Sequence, residues 1–354
     1  MRKNLILFLI ITFLSFLLLE TLVRLFYPLG LKDYWTENET QYGLMVNKKN
    51  YSYKNHRVKN LVASYNFGEF RNRITISKKN FENHPKILVL GDSYTFGWLL
   101  KDEFTFIHKL QLDNLNFKII NSSVVGWGSS SYTLFAELFC ESIEPKKIII
   151  FMNTADIYRS YDQNYYIFKN GVLRKNKIHF QKKKEFTYYD KKIPLYRFLK
   201  KNSQFFILIR NTIYNIINPP PKFEERRKYY YTNYAVKKGT DEINKITNLN
   251  QEIFKRLKKI SKKCGSDLLV IYNGWVKSNN LPETNPNKKF LMEAEAFFSE
   301  NNINFFNLSK SVLMSELYQN PYKFIFEEDL HPNENGANLI YNASKEKIKE
   351  FINF

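Results

Sequence analysis

Residues 86–93 read KILVLGDS, and this stretch determines the fold class of the chain. Four apolar residues in a row, followed by a glycine, are typical of a parallel strand that is buried on both faces. Apolar runs of similar length recur further along the chain, and each predicts another strand of the same sheet. These further predicted strands cover 117–122, 147–153, 267–272 and 304–308.

Helical patterns separate the predicted strands. The clearest covers 241–263, where apolar residues recur at spacings of three and four and Gly265 follows as a helix end. The other predicted helices cover 104–115, 130–141, 285–300 and 335–351. Strands that alternate with helices predict a three-layer α/β/α fold, with a parallel sheet between two layers of helices. In such a sheet the functional site lies beyond the carboxyl ends of the strands.

The composition excludes several classes of protein. Of the 354 residues, 44% are hydrophobic and 25% are charged, which is typical of a folded chain rather than a disordered one. The two cysteines, Cys140 and Cys264, are too few for a multi-disulfide scaffold or a cysteine zinc cluster, and their pairing stays open. The sequence implies no metal and no cofactor.

The N-terminus has the pattern of an export signal. Arg2 and Lys3 are followed by an uncharged apolar run at 5–19. If the helix continues to Phe26, it exceeds the ~20 residues that a bilayer requires. A buried core helix is a poor alternative, because basic residues directly before such a run are typical of export. They remain inside, so the rest of the chain is expected outside.

A cleaved signal peptide is the competing interpretation of this run. Cleavage requires small residues after the apolar stretch, and no alanine occurs before Ala63. Glu20 and Arg24 lie one helical turn apart and can pair near the outer interface. We therefore expect an uncleaved anchor that contacts the membrane through residues 5–26, as one continuous helix standing apart from the globular domain.

The net charge of +20 is concentrated in one region. Residues 158–263 contain 27 Lys and Arg against 8 Asp and Glu, which predicts a basic, aromatic insertion at about 158–240. Tyr and Lys together would suit a nucleic-acid surface. Because the domain is expected outside the membrane, we expect no nucleic-acid partner. A patch facing anionic lipid or acidic polysaccharide, a lid over the site, and a solvated cap remain as interpretations.

Two polar motifs follow the first two strands of the predicted sheet. Ser93 lies between a strand end and a helix start, where its hydroxyl can face solvent and nearby backbone N–H groups can bind an oxyanion. Residues 121–128 read NSSVVGWG, and Gly126 lets a backbone N–H approach a substrate closely. Either motif alone would equally fit a polar turn with a capping serine.

A third motif, Asp329-Leu330-His331-Pro332, precedes the last predicted helix. His331 can act as general base for a serine, and Asp329 can orient its ring. The other four histidines are poorer candidates for the general base. In chain order, one precedes the regular fold, one enters the first strand, one lies on a helix and one lies in the insertion. They are His56, His84, His108 and His179.

Together the three motifs resemble those of the SGNH, or GDSL-type, hydrolase family. The turn at Ser93 is similar to the motif that carries the family's nucleophile, and Asn121 with Gly126 is similar to its second motif. Asp329 and His331 match its last motif. The resemblance implies a flavodoxin-like sheet, a catalytic triad of these Ser, His and Asp residues, and an oxyanion hole that includes the Ser93 and Gly126 N–H groups.

The layout also resembles a membrane-anchored subgroup, with Glu69-Phe70-Arg71 in place of its Gly-x-Arg segment. The α/β-hydrolase fold is a rival, but Thr95 occupies the second glycine position of its Gly-x-Ser-x-Gly elbow. The apolar run, the segment after it and the motifs together predict three parts of the chain. They are a transmembrane anchor at 1–28, a stalk with leading strands at 29–80, and a hydrolase domain at 81–354 that contains the insertion.

Two positions depart from the family pattern. Ala155 stands where the third motif carries the Asn that completes the oxyanion hole, and Asn153 is the substitute that we consider. Loss of one such donor costs about 2.7–4 kcal/mol of transition-state stabilisation. Many members place the triad acid three residues before the His, which is Glu328 here. We prefer Asp329, because the Pro-Asn continuation accompanies that spacing.

The resemblance predicts a membrane-anchored serine esterase or O-acyltransferase. Its expected location is the bacterial inner membrane, crossed once, with the catalytic domain in the periplasm or outside the cell. The expected substrates are acyl esters of envelope polysaccharide or lipid. The alternative is a catalytically degenerate member that binds envelope glycan without turnover.

Overall fold

The computed structural model describes residues 2–30, 34–76, 81, 83–177, 194–219 and 238–353. The strands are β1 (Thr36–Asn38), β2 (Met45–Asn47), β3 (Tyr51–Val58), β4 (Leu61–Phe67), β5 (Lys86–Gly91), β6 (Lys118–Asn121), β7 (Pro145–Met152), β8 (Tyr166–Lys169), β9 (Val172–Lys175), β10 (Asp267–Tyr272) and β11 (Asn304–Asn307). His179 and two stretches of the predicted insertion, 178–193 and 220–237, lie outside the described residues.

The helices that flank these strands are α1 (Arg2–Phe26), α2 (Ser93–Phe96), α3 (Phe106–Asp113), α4 (Ser129–Ile143), α5 (Asp156–Gln163), α6 (Pro194–Asn202), α7 (Gln204–Ile217), α8 (Thr240–Lys263), α9 (Lys288–Glu300), α10 (Met314–Gln319) and α11 (Glu334–Asn353). Short 3₁₀ turns cover Asp102–Phe104, Ser278–Asn280, Leu308–Lys310 and Pro321–Phe324. The five predicted strands and the predicted helices of the sheet domain are thus present, with ends that differ by a few residues.

The central sheet is parallel and has the strand order β6-β5-β7-β10-β11. Counted along the sheet domain, this is the order 2-1-3-4-5 of a flavodoxin-like fold. The order reverses between β5 and β7, and a ligand site is expected beyond the carboxyl ends of those strands. The predicted α/β/α fold is therefore confirmed.

Alternate residues of each strand face opposite layers of helices. In β5, Leu88 and Leu90 belong to a core with residues of α4, α8 and α9. Ile87 and Val89 belong to a second core with residues of α3 and α11. Burial on both faces explains why these strands read as unbroken apolar runs.

Residues 34–76, which lie in the predicted stalk, carry more structure than their sequence indicated. Strands β3 and β4 form an antiparallel hairpin, and β1 pairs with β2. Trp35 is fully buried in an aromatic cluster with residues of the hairpin and Phe96 of α2. The leading segment is therefore packed against the turn that follows β5.

The disulfide Cys140–Cys264 joins the last turns of α4 and α8, with the two Cα atoms 6.1 Å apart. Both helices pack on the same face of the sheet. The sequence left this pairing open. The bond closes a loop of 124 residues that includes the described helices α6 and α7.

Helix α1 is continuous and is long and apolar enough to cross a membrane, and no residue of its most apolar 18-residue window is buried. The predicted pair is present, with Arg24 Nε donating to Glu20 Oε1 at 2.6 Å. The helix does not stand entirely apart, however. Its C-terminal part contacts α7, where the Phe16 and Phe205 rings lie 5.7 Å apart, centre to centre. The interaction joins segments far apart in sequence, so the local apolar pattern could not reveal it.

Candidate active site

Ser93 begins α2 immediately after β5 ends, at the switch point of the sheet. Asp92 caps the helix, because its Oδ1 accepts the N–H of Tyr94 at 2.9 Å. Gly97 ends the helix at φ +80°, a conformation that favours glycine. These two caps fix a tight turn that holds the Ser93 hydroxyl at the carboxyl edge of the sheet.

His331 lies beside this serine although 238 residues separate them in sequence. Its Nε2 atom is 2.9 Å from Ser93 Oγ, and its Nδ1 atom is 3.3 Å from Asp329 Oδ1. The loop that carries both residues is closed by a hydrogen bond of 2.8 Å from the Phe326 N–H to the His331 carbonyl. Leu330, between them, has φ +64°. The structure thus brings together the three side chains that the sequence predicted as a triad.

Asp329 has a second partner that sequence reasoning missed. The indole Nε1 of Trp98 donates to Asp329 Oδ2, while His331 contacts the other oxygen. Burial alone would raise the pKa of Asp329, but the contacts with His331 and Trp98 and the nearby His56 outweigh it and lower the pKa. The carboxylate form is therefore favoured. Trp98 directly follows Gly97, the residue that ends α2. This position next to the Ser93 turn is the sequence signal that could have identified Trp98.

His56 reaches this region from the β3–β4 hairpin. Its ring packs against Trp98, with ring centres 4.6 Å apart, and against Trp35 at 4.9 Å. Burial lowers the pKa of His56 to about 4, although the negative charge of Asp329 opposes the shift. His56 is therefore neutral at physiological pH and supports the Trp98 side of the site.

The loop after β6 lies against the Ser93 turn. Asn121 Nδ2 donates to the Thr95 carbonyl at 2.9 Å, and the Val124 N–H donates to the Gly91 carbonyl at 3.3 Å. Gly126 has φ +81°, and no atom lies within 4 Å of the position that a Cβ would take. Gly126 therefore borders open space, so a substrate can approach its backbone N–H closely.

Asn153 and Ala155 lie at the end of β7, where the sequence departs from the family pattern. Asn153 Nδ2 donates to Asp92 Oδ2 at 3.2 Å, and its Oδ1 accepts the Thr154 N–H at 2.6 Å. An amide has two N–H donors, so the bond to Asp92 occupies one of them. Ala155 is buried and precedes α5. Its side chain can donate no hydrogen bond.

Asp92, the residue before the nucleophile candidate, belongs to a buried ionic network. Arg159 Nη1 contacts Asp92 Oδ2 at 2.9 Å and Asp156 Oδ1 at 3.1 Å. Burial, together with the charge of Asp92, raises the pKa of Asp156 well above its ordinary value. This network joins the ends of β5 and β7. In the described part of the chain, no group of three His, Cys, Asp or Glu side chains is arranged to hold a metal ion.

Arg73 is a further buried charge that sequence reasoning missed. Its guanidinium donates to the carbonyls of Phe96, Gly97 and Leu100 at 2.6–3.0 Å and pairs with Asp102 at 2.8 Å. The predicted Arg71 instead pairs with Glu37 at 2.6 Å. Arg73 therefore fixes the backbone that follows Ser93. The sequence signal for this role was the position of Arg73, two residues after the Glu69-Phe70-Arg71 segment.

Comparisons with known proteins give matches in structure alone. No protein-family model matches the sequence, and no similar chain is found among curated proteins. The structures that resemble this chain include GDSL-type lipolytic proteins, as the motifs predicted. The psychrotrophic esterase EstA from Pseudoalteromonas sp. has 14% identity and a TM-score of 0.42, over 76% of this chain and 99% of its own.

Two further structures have similar values. The acetyl xylan esterase AlAXEase has 13% identity and a TM-score of 0.42, over 74% of this chain and 99% of its own. TesA has 10% identity and a TM-score of 0.43, over 75% and 98%. At such low identity, residue roles have to be inferred from the geometry of this chain itself.

Proposed function

We propose that the protein is a membrane-anchored serine esterase or O-acyltransferase. One observation carries the proposal: Ser93 Oγ, the His331 ring and the Asp329 carboxylate form a continuous chain of contacts at 2.9 and 3.3 Å. A serine in contact with a histidine that is oriented by a carboxylate is the arrangement of an activated nucleophile. It lies at the sheet's switch point, where flavodoxin-like folds bind ligands.

In the proposed reaction, Ser93 Oγ attacks the carbonyl carbon of an ester while His331 Nε2 accepts the hydroxyl proton. The backbone N–H groups of Ser93 and Gly126 bind the resulting oxyanion. Asp329 stabilises the protonated His331 ring, which then gives its proton to the leaving alcohol. The acyl group remains bonded to Ser93 Oγ until water or an acceptor hydroxyl attacks its carbonyl carbon, while His331 Nε2 accepts the proton of the attacking group. His331 then returns this proton to Ser93 Oγ as the acyl–serine bond breaks.

The acceptor decides between the two activities. Water gives an esterase, and a sugar hydroxyl gives an O-acyltransferase. We infer that the substrates are acyl esters of envelope carbohydrate or lipid, because α1 is long and apolar enough to hold the domain at a membrane. The Cys140–Cys264 disulfide also supports an oxidising compartment outside the cytoplasm. We place the anchor in a bacterial inner membrane and the domain in the periplasm or cell exterior.

A second candidate function is glycan binding without turnover. The observation that favours it is Ala155, which offers no donor where the family carries an asparagine. Asn153, the possible substitute, already donates to Asp92 at 3.2 Å. A site with only two backbone donors would stabilise an oxyanion less well, by about 2.7–4 kcal/mol for each donor lost.

The test is hydrolysis of a soluble aryl acetate by the purified full-length chain. Ser93→Ala removes the nucleophile, so activity should fall to the rate of the buffer alone. Ser142→Ala is the matched control, because its exposed hydroxyl donates to the Phe139 carbonyl on α4, away from the triad. The control should retain the parent rate. Equal rates for the parent and Ser93→Ala would contradict the esterase proposal and favour the binding protein.

A further inference from the structure

Helix α7 presents an apolar face that nothing in the described structure covers. Its sequence is QFFILIRNTIYNII, and four isoleucines share one face because they are spaced by four, three and one residues. Their side chains are between 41% and 73% exposed, although isoleucine is normally buried. They are Ile209, Ile213, Ile216 and Ile217. The opposite face carries Asn211 and Asn215.

The start of α7 is fastened to α1. The Glu20 carboxylate accepts the backbone N–H groups of Gln204 at 3.0 Å and Phe205 at 2.9 Å, and the Ser203 hydroxyl at 2.7 Å. Arg24 donates to the Asn202 carbonyl at 2.7 Å. Glu20 directly follows the uncharged run of α1, on its C-terminal side, so α7 begins beside the end of α1 that is expected near the outer interface.

The apolar surfaces of the two helices are continuous. The Phe16 ring of α1 meets the Phe205 ring of α7 edge to face at 5.7 Å. Phe205 lies one turn before Ile209 and therefore belongs to the same apolar face. With 14 residues, α7 is about 21 Å long, too short to cross a hydrocarbon core of about 30 Å. An amphipathic helix of this kind lies in the plane of the membrane interface.

Helix α6, which precedes α7, has features that suit the same surface. Leu195 and Phe198 are more than 60% exposed and lie one turn apart. Lys200 and Lys201 occupy its last turn, next to the start of α7. Exposed apolar side chains beside lysines match the boundary between acyl chains and anionic head groups.

We propose that α7 is a second membrane contact, an interfacial helix whose apolar face lies in the extracytoplasmic leaflet of the bilayer that α1 spans. The inference rests on the proposed membrane anchoring of α1. Two contacts, one spanning and one interfacial, restrict how the domain can rotate about its anchor. In this proposal, the described helices of the basic insertion, α6 and α7, rest on the lipid surface beside α1.

The experiment uses the full-length protein in vesicles of phosphatidylcholine and phosphatidylglycerol. Ile213→Cys and Asn211→Cys place a single reactive thiol on opposite faces of α7, and Phe13→Cys places one in α1. Cys140 and Cys264 are joined in a disulfide and do not react. Each thiol carries an environment-sensitive NBD dye, and spin-labelled lipid then quenches the dyes that lie in the bilayer.

We expect the dyes at Phe13→Cys and Ile213→Cys to emit at shorter wavelength and to be quenched, by about twofold or more relative to Asn211→Cys. A quenched Phe13→Cys with a solvent-like Ile213→Cys would overturn the interfacial role of α7 alone. An unquenched Phe13→Cys would overturn the anchoring itself. A blue-shifted Ile213→Cys that lipid does not quench would assign the face to a protein partner, such as a second copy, and would also overturn the proposal.

Discussion

The two sides of Ser93 differ in how completely they are built. On the proton-transfer side, Ser93 contacts His331, and His331 contacts Oδ1 of Asp329. Trp98 donates a hydrogen bond to Oδ2, the other oxygen of that carboxylate. On the oxyanion side, Gly126 borders open space, while Ala155 offers no donor and the Asn153 amide is bonded to Asp92. Proton transfer and charge stabilisation are therefore separable features of one site, and a chain can keep the first while weakening the second.

After loss of the nucleophile itself, the largest expected effect comes from the triad acid. Asp329→Asn keeps the side-chain shape but removes the charge that stabilises the protonated His331 ring, and the amide can favour the wrong ring tautomer. We expect the rate of ester hydrolysis, measured as kcat, to fall by about 10⁴-fold. Glu328→Gln is the control, since Glu328 occupies the alternative position for the acid. The reverse result, loss in Glu328→Gln alone, would assign the triad acid to Glu328.

The next effect is expected when a donor is added to the oxyanion side of the site. Ala155→Asn would place an amide donor near the developing negative charge, where the low local dielectric strengthens the interaction. We expect kcat/KM to rise by about tenfold or more, less than the full value of a native donor because the surrounding packing was not built for asparagine. If Ala155→Asn has no effect while Asn153→Ala abolishes activity, Asn153 is already the third donor.

A smaller loss is expected when the indole donor is removed. Trp98→Phe keeps an aromatic ring but no longer donates to Asp329 Oδ2. A hydrogen bond to a charged group contributes about 1.5–3 kcal/mol, so kcat/KM should fall by about 10- to 150-fold. The pKa of Asp329 should rise without this donor, and the carboxyl-carbon NMR shift of Asp329 followed against pH measures that change. An unchanged pKa of Asp329 would mean that Trp98 acts through packing alone.

The smallest effect on activity is expected at His56, whose role concerns stability. Its pKa is about 4 in the folded chain against 6.5 for an ordinary histidine. Between those pH values the unfolded chain binds a proton that the folded chain does not, so stability falls as pH falls from 6.5 toward 4. His56→Phe should reduce this dependence while changing kcat at neutral pH less than Trp98→Phe does. Thermal unfolding between pH 4 and pH 7 measures it, and an identical pH dependence of Tm in both proteins would contradict the buried neutral histidine.

The sheet domain was predictable because its signals are local. Strands such as β5 and β10 are buried on both faces and read as unbroken apolar runs, and α8 shows regular helical spacing. The proposed triad was recognisable because each member lies in a short motif at a strand end or before a helix. The structure then brought Ser93 and His331 to 2.9 Å.

Other features depend on contacts between distant segments. Trp98 meets Asp329 across 231 residues, and Arg73 reaches the α2 turn from the segment after the β3–β4 hairpin. Neither residue lies in a periodic pattern. The contact of α7 with α1 likewise joins residues more than 180 positions apart, such as Glu20 and Gln204. A local sequence pattern can point to one member of such a pair, but it does not identify the distant partner.

The central claim is that Ser93 is a nucleophile activated by His331, and covalent labelling tests it most directly. The purified full-length protein is incubated with a fluorophosphonate probe, digested and analysed by mass spectrometry. We predict a single phosphonyl adduct on the peptide that contains Ser93, absent in Ser93→Ala and strongly reduced in His331→Ala. An adduct on another serine, or no adduct in either the parent or Ala155→Asn, would contradict the catalytic account and leave the glycan-binding function in its place.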